Sequence, residues 1–458
     1  MSEKRQITQL LLAFADVDRG ETPTNIRGGI ESLVAKPLSE TPATMDHLME
    51  EICEAENLKQ ALKRVRSNKG SPGPDGMTVN QLPKYLRKHW PEIREQLMHG
   101  TYEPKPVKRV SIPKEGGGER FLGIPSVLDR FIQQAATQVL QRIWEPIFSN
   151  HSYGFRPGRS AHQAIAMAQS YQQEGFRVVV DLDLEKFFDR VNHDRLMASL
   201  AQRIKDKRLL KLVRGFLTSG VLIGGLVSPT KEGTPQGGPI SPILSNIVLD
   251  ELDKELERRG HRFVRYADDA NIYVKSRRAG ERVMASVKRF IAETLRLRVN
   301  EKKSAVAHPG DRKFLGFTFG KGQDAKRRIA PQAIVRFRKR IRKLTRRTRT
   351  ISWKRIIQDL QLYLRGWKGF FGFCQTPSTL KELEEWLRRR LRSLIWKAWK
   401  RGRKRFTELR KRGVAKVLAA KTAGSPHGPW RISSSPALHQ AFPIKFFDQQ
   451  GLPRLVAA

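Results

Sequence analysis

Hydrophobic positions follow two rhythms along this chain. Before about residue 320 several apolar runs are short and read as strands. Phe176 to Leu184 is β-rich and apolar, the pattern of a buried strand. His261 to Val274 reads as a strand pair hinged at Asp268-Asp269. Val107 to Pro113 and Arg120 to Pro125 flank Glu115-Gly116-Gly117-Gly118, which predicts a β-hairpin with a mobile tip. Helical patterns cover 46–65 and Val127 to Trp144, with a turn-rich loop at Asn68 to Gly76. Beyond residue 330 the period becomes helical. Ile334, Phe337, Ile341 and Leu344 make one apolar stripe, with Arg336, Arg338, Lys339, Arg340 and Lys343 on the remaining surface. Leu380, Leu383, Leu387, Leu391, Ile395 and Ala398 make another, with Thr376 placed to cap it and Pro377 at the first helical position. Residues 1–44 are polar and broken by prolines, which predicts a flexible extension. The expected architecture is a β-rich core followed by basic helices.

Composition narrows the partners. Lys plus Arg is 87 against 45 Asp plus Glu, a formal charge of +42. Between Lys321 and Lys421 there are 33 basic and 6 acidic residues, so most of the excess lies in the helical part. With 39% hydrophobic residues the chain can build a core, which excludes a basic disordered tail. A folded chain this basic calls for a polyanion, nucleic acid by default. Cys53 and Cys374 are too few for a disulfide framework or a thiolate zinc site. No apolar run approaches the roughly 18 residues of a membrane span. Glu3, Asp16, Asp18 and Glu21 argue against a transit peptide. A cytoplasmic, nucleic-acid-facing protein with no membrane partner is expected.

Candidate chemistry concentrates in Tyr266-Ala267-Asp268-Asp269, between Phe263-Val264 and Ile272 to Val274. Two carboxylates about 4 Å apart repel by ~4 kcal/mol at an effective dielectric near 20. Such a pair persists when solvated in a turn, protonated, or neutralised by a cation, and a solvated turn is the ordinary case. A third acid changes the balance. Asp181 and Asp183 close the apolar strand on one face, and alternation alone does not choose between them. A strand-end acid beside an acidic turn makes an oxygen-ligand set suited to Mg²⁺, and two such ions serve an in-line phosphoryl transfer.

Ordered motifs then carry a resemblance. They are Ser71-Pro72-Gly73-Pro74-Asp75-Gly76, Ser111-Ile112-Pro113-Lys114 with Arg120-Phe121-Leu122-Gly123-Ile124-Pro125, and Tyr153-Gly154-Phe155-Arg156-Pro157-Gly158. Next come Asp183-Leu184-Glu185-Lys186-Phe187-Phe188-Asp189, Gly233-Thr234-Pro235-Gln236-Gly237-Gly238, Tyr266-Ala267-Asp268-Asp269 and Phe314-Leu315-Gly316-Phe317. From about residue 45 to the C-terminus the chain resembles a bacterial group II intron-encoded reverse transcriptase and maturase. The resemblance implies an α+β right-hand polymerase, its fingers and palm built on antiparallel sheet, followed by a helical thumb and maturase domain. It implies a fingers extension at 45–99, fingers and palm at 100–322, the basic thumb/maturase domain at 330–421, and a maturase tail at 422–458. Many relatives continue into a Cys- and His-rich endonuclease. Here no such domain is expected, so primers would come from elsewhere.

The resemblance also assigns roles. It implies Asp183, Asp268 and Asp269 as catalytic ligands of two Mg²⁺ ions (Mn²⁺ a substitute), with Leu184 contributing to the metal site and Asp181 a neighbour. Lys303 is implied near the pyrophosphate as a general acid, with Lys302 a rival. Lys114 and Arg120 on the hairpin would contact the triphosphate of a deoxynucleoside triphosphate, and Gln236 the incoming nucleotide. Phe188 would stand under the sugar and exclude a 2′-hydroxyl. Tyr266, Phe314, Leu315 and Gly316 would lie near the DNA primer on its RNA template. In the helices Arg388, Arg389, Arg390, Arg392, Lys397 and Lys400 read as an exposed row facing intron RNA phosphates, while Trp386, Trp396 and Trp399 read mostly as core. RNA-templated DNA synthesis coupled to intron splicing and mobility is the leading expectation. A splicing-only maturase and a domesticated reverse transcriptase in defence or repair are the alternatives.

Overall fold

The computed structural model describes residues 46–113, 119–223, 226–230, 232–234, 237–346 and 352–456. The expected N-terminal extension, Lys114 and Gln236 fall outside them. The chain divides into two compact units, one comprising residues up to 171 and 175–307, the other 172–174 and 308–458.

The first unit is mixed α and β. Its strands are β1 (Val107–Pro113), β2 (Glu119–Ile124), β3 (Val178–Asp183), β4 (Val221–Ile223), β5 (Leu226–Ser228), β6 (Arg262–Tyr266), β7 (Asp269–Val274) and β8 (Ala305–Ala307). One sheet has the order β6-β7-β3-β8 and is antiparallel at each junction. In β3, Val179, Val180 and Leu182 are buried. The helix Arg277–Glu293 packs against β3, β7 and β8, and its Val287 and Ile291 join the same core as Val180, Leu182 and Ile272. A strand whose β-branched residues are covered in this way is held in register, because a one-residue slip would reverse every side chain. The acids at its polar end therefore have fixed addresses.

The expected hairpin is present, with Lys108 opposite Ile124 and Pro113 opposite Glu119. It belongs to a second sheet, β2-β1-β4-β5, whose β1–β4 junction is parallel. The helix Val127–Trp144 has the bounds its pattern predicts. Ser126 caps it by accepting from the Asp129 N–H, and the Asp129 carboxylate accepts from the hydroxyls of Ser126 at 2.6 Å and Tyr102 at 2.8 Å. Burial pushes the Asp129 carboxyl up, with those hydrogen bonds opposing it.

The second unit is mainly helical, with one hairpin of β9 (Phe317–Phe319) and β10 (Arg327–Ile329). It begins at His308. Aromatic packing ties β9 to the helices that follow: Phe317 lies 5.8, 5.4 and 6.5 Å from the rings of Phe370, Phe371 and Phe373. The main helices are Pro331–Leu344, Trp353–Phe371 and Pro377–Ala398. Phe337, Ile341 and Leu344 are buried as their stripe predicts, as are Leu380, Leu383, Leu387 and Leu391. Two details differ. Ala398 is exposed, and Trp396 takes the core position at that end of the helix. Thr376 sits at the cap, but its hydroxyl makes no capping bond.

Candidate active site

Asp183 closes β3 and Asp269 opens β7, and the two are direct partners in the antiparallel ladder. Tyr266 ends β6 opposite Asp269 from the other side. Asp268 lies in the two-residue turn between these strands. The sheet thus gathers at one end of its central strands three acids that the sequence singled out, and it separates Asp183 from Asp181, which pairs with Asn271 further along.

Asp183 is tied down at its backbone. Its N–H donates to the Ser304 hydroxyl at 3.0 Å, and its carbonyl accepts from the Asn300 N–H at 2.8 Å. That segment delivers Lys303, whose Nζ donates to both Asp183 carboxylate oxygens at 3.2 Å. Between the two lysines weighed from the sequence, Lys303 is the one on Asp183. Leu184 is buried and bridges Val299.

The charges here oppose one another. Crowding by surrounding atoms raises the Asp269 carboxyl most. The like charges of Asp268, Asp183 and Asp181 add to it and Lys303 counters, leaving it at about 7. A carboxylate held up in this way is one that a cation would restore, and an all-oxygen donor set matches a hard divalent ion. Among the described residues no three His, Cys, Asp or Glu side chains stand as a closed metal cluster. Lys303 is the cation that stands against Asp183.

A network that sequence reasoning missed supports the turn. Arg265, a charged residue in the middle of β6, and Asp253 on the helix Ser241–Arg258 are both fully buried, with contacts of 2.7 and 2.5 Å. The only signal was an arginine where the strand pattern calls for an apolar residue.

Phe188 is half-buried, edge-on to Phe187 at 5.3 Å, in the one-turn helix Phe187–Arg190. Its carbonyl accepts the Thr234 N–H at 2.6 Å, and Gly233 has φ +91 where a β-carbon would press on the backbone of Phe188 and Asp189. That glycine lets the Gly233-Thr234 segment lie directly on the Phe188 turn. Phe188 also lines a cleft of about 440 Å³ with Phe155, Leu122, Arg130, Gly237 and Gly238. Arg130 was not singled out from the sequence. It reaches the Ser71 carbonyl at 2.7 Å and ties the Ser71 to Gly76 loop to the cleft wall. Arg120 opposes Ile112 on β2, across from the strand that leads to Lys114.

In the second unit Leu315 (φ +50) and Gly316 (φ +83) make a tight turn, closed by reciprocal backbone bonds between Phe314 and Phe317. Phe314 is buried.

The expected exposed arginine row is corrected. Arg388 and Arg392 are buried. Arg388 pairs with Glu384 at 3.2 Å, and Glu384 also accepts the Leu455 N–H. Arg392 donates to the Phe442 carbonyl at 3.1 Å, and burial with neighbouring Arg388 lowers its guanidinium to about 10. Arg390 donates to the Thr345 hydroxyl, and Arg389 lies 4.3 Å over the Trp430 ring. For Arg389, Arg392 and the Glu384 partner of Arg388 the cause is the C-terminal segment, which supplies Trp430, Phe442 and Leu455, while Arg390 meets the end of the helix Pro331–Leu344. Lys397 and Lys400 are exposed. Trp396 and Trp399 are core as expected, with Trp386 partly buried.

Comparison with known proteins bears on both units. Residues 112–319 match the family described as reverse transcriptase (RNA-dependent DNA polymerase), and residues 334–413 the group II intron, maturase-specific domain. Protein YkfC of Escherichia coli K12 is 34% identical over 316 residues, covering 60% of this chain and 82% of that protein. The group II intron-encoded protein LtrA of Lactococcus lactis subsp. cremoris is 30% identical over 323 residues, 56% of this chain and 54% of that one. The aligned part thus spans about half of LtrA. The retron Mx65 reverse transcriptase of Myxococcus xanthus is 30% identical over 211 residues, 44% and 48% of the two chains.

Proposed function

The chain belongs to the group II intron-type reverse transcriptases and maturases, and from that premise we propose that it copies RNA into DNA at Asp183, Asp268 and Asp269 and grips its own intron RNA with its second unit. The observation that carries this reading is the ladder pairing of Asp183 with Asp269, with Asp268 in the adjoining turn. Divalent ions of the Mg²⁺ type, two in this reading, would supply activation of the primer 3′-hydroxyl and neutralisation of the leaving pyrophosphate. Asp183, Asp268, Asp269 and the Leu184 carbonyl would hold them.

The chain's own groups do the rest. Lys303 stands on Asp183 and would hand over from the carboxylate to the pyrophosphate, giving it a proton. Lys114 and Arg120 would fold over the triphosphate and Gln236 would meet the nucleotide. Phe188, braced by Phe187 and the Gly233 segment, would form a floor that leaves no room for a 2′-hydroxyl. Tyr266 and the Phe314-Leu315-Gly316 turn would meet the primer. Lys397, Lys400 and the accessible parts of Arg389 and Arg390 are the proposed phosphate contacts for intron RNA, and splicing assistance and mobility follow from that grip.

Purified full-length protein should extend a DNA primer annealed to RNA, and Asp268→Asn should abolish extension while retaining binding to RNA transcribed from the DNA flanking the gene. A wild-type protein that leaves the primer unextended, or an Asp268→Asn variant as fast as wild type, would overturn the reading.

A further inference from the structure

We propose that Arg265 is a positioning residue for the acidic turn: its guanidinium, clamped on Asp253 and Asn246, holds the Ala267 carbonyl and so sets the angle at which Asp268 and Asp269 meet a divalent cation. This rests on the assignment of those carboxylates as the polymerase's acids.

The turn needs a restraint. Ala267 has φ +57, in the left-handed region where an L-residue is disfavoured by roughly 1–2 kcal/mol. A strained residue persists where its surroundings over-determine it, and here they do so from two sides. From beneath, Arg265 Nη1 donates to the Ala267 carbonyl at 3.0 Å and to Asn246 Oδ1 at 3.0 Å. Its Nε and Nη2 are committed to the two Asp253 oxygens. From the side, Asn246 donates to the Gly154 carbonyl at 2.9 Å. The Tyr153 N–H donates to the Arg265 carbonyl and the Arg265 N–H to the His151 carbonyl, both at 2.9 Å. Gly154 lies so close that a β-carbon there would collide with the Ala267 backbone nitrogen. The Tyr153-Gly154 motif thus acts as a stop against the turn.

Magnitudes favour positioning over mere stability. A buried ion pair often contributes no more than apolar residues of the same volume, so its presence is weak evidence of a stabilising role. What apolar residues could not provide is a fork that satisfies an acid, an amide and the turn carbonyl together. Arg265 is buried to 1% exposure and Asp253 to 0%, so neither can touch substrate. Their effect passes through the backbone of Ala267 into the residue that follows.

The test compares Arg265→Lys, Asn246→Ser and Asp268→Asn in the full chain. Lysine keeps the charge beside Asp253 but lacks the fork, while Asn246→Ser leaves the ion pair and removes the link to Gly154. Mn²⁺ affinity is measured by electron paramagnetic resonance on protein bound to primer and template without nucleotide. Alongside it come the Mg²⁺ concentration for half-maximal extension, the primer–template affinity and the melting temperature. Arg265→Lys should weaken Mn²⁺ binding by about 10- to 100-fold, the range for outer residues that orient metal ligands. The Mg²⁺ requirement should rise in parallel, with kcat falling, the nucleotide KM steady and primer–template affinity unchanged. Asn246→Ser should change the same quantities less, and it decides the matter should Arg265→Lys fail to fold. A lowered melting temperature with wild-type Mn²⁺ affinity and Mg²⁺ requirement would make Arg265 a core ion pair only. Undiminished extension and Mn²⁺ binding in Asp268→Asn would instead remove the carboxylate assignment itself.

Discussion

At Asp268-Asp269 two acids stand side by side in a turn, with Asp183 across the ladder and Lys303 on Asp183. At Arg388-Arg389-Arg390, with Arg392, four bases stand side by side on a helix, and the protein itself supplies what they meet: Glu384, the Phe442 carbonyl, the Thr345 hydroxyl and the Trp430 ring. Both are runs of like charge, and both were candidates for contact with a charged ligand. The acids keep a repulsion that Lys303 only partly offsets: the Asp269 carboxyl is raised first by the atoms crowding it and then by the like charges of Asp268, Asp183 and Asp181. Arg388 and Arg392 have been absorbed into the core of their unit, and Arg389 and Arg390 are partly covered. Adjacent like charges therefore indicate a ligand only where folding leaves them uncompensated.

This contrast can be broken at its acidic side first. Asp183→Asn should reduce extension by on the order of 10³-fold or more, about 4 kcal/mol of barrier, because an amide cannot replace a carboxylate ligand. RNA affinity should stay within about twofold, a bound that filter binding can check against the second unit's separate role. Extension near the wild-type rate would show that the acids' repulsion has no catalytic use.

The basic side should fail in a different way. Arg388→Gln leaves Glu384 buried without its partner, a loss of about 3–5 kcal/mol in stability. Denaturant unfolding should show it as an earlier transition, with extension by the folded fraction unchanged. If Arg388→Gln melts like wild type and instead loses RNA affinity, the arginine is a phosphate contact after all.

A smaller effect sharpens the account of the nucleotide. Phe188→Ala should relax the preference for deoxynucleotides over ribonucleotides by about 10- to 100-fold, the range a pocket gains from excluding one small group. Incorporation rates of the two on an RNA template measure it, and an unchanged ratio would reduce Phe188 to packing against Phe187.

The smallest effect separates exposed from absorbed charge. Lys397→Gln with Lys400→Gln removes two exposed ammonium groups. The slope of log affinity for single-stranded RNA against log salt should become shallower by about 1.4, with no change in melting temperature. An unaltered slope would move the RNA grip to other bases of the unit.

Much of this was legible in the sequence. The helix Val127–Trp144, the hairpin of β1 and β2, and the strands meeting at Asp268-Asp269 are readable because local periodicity and turn residues encode them. Ala398 departs from its stripe, which was carried one turn too far, whereas Thr376 and Pro377 hold the cap and first-turn positions their residue types indicate, without a capping bond from the Thr376 hydroxyl. The arginine row was misread for a longer-range reason. Arg392 meets Phe442 fifty positions away, and Glu384 meets Leu455 at a separation of 71, and helical spacing around Arg388 carries no trace of either partner.

By itself, then, the sequence determined the strands around the acids, the helix Val127–Trp144, the basic second half, and the acids that stand at strand ends and turns. Those properties depend on neighbours a few residues apart. It did not determine the helices, such as Ser241–Arg258 and Arg277–Glu293, that make the first unit richer in helix than the β-rich core expected. The tertiary structure decided that Asp183 rather than Asp181 faces Asp269, that Lys303 rather than Lys302 reaches it, that Arg265 braces the turn, and which arginines remain in solvent. Each of those depends on ladder register or on burial by distant segments, as in the 120-residue separation between Asp183 and Lys303. Periodicity fixes the face a residue takes within its own element, and only packing between elements fixes what that face meets.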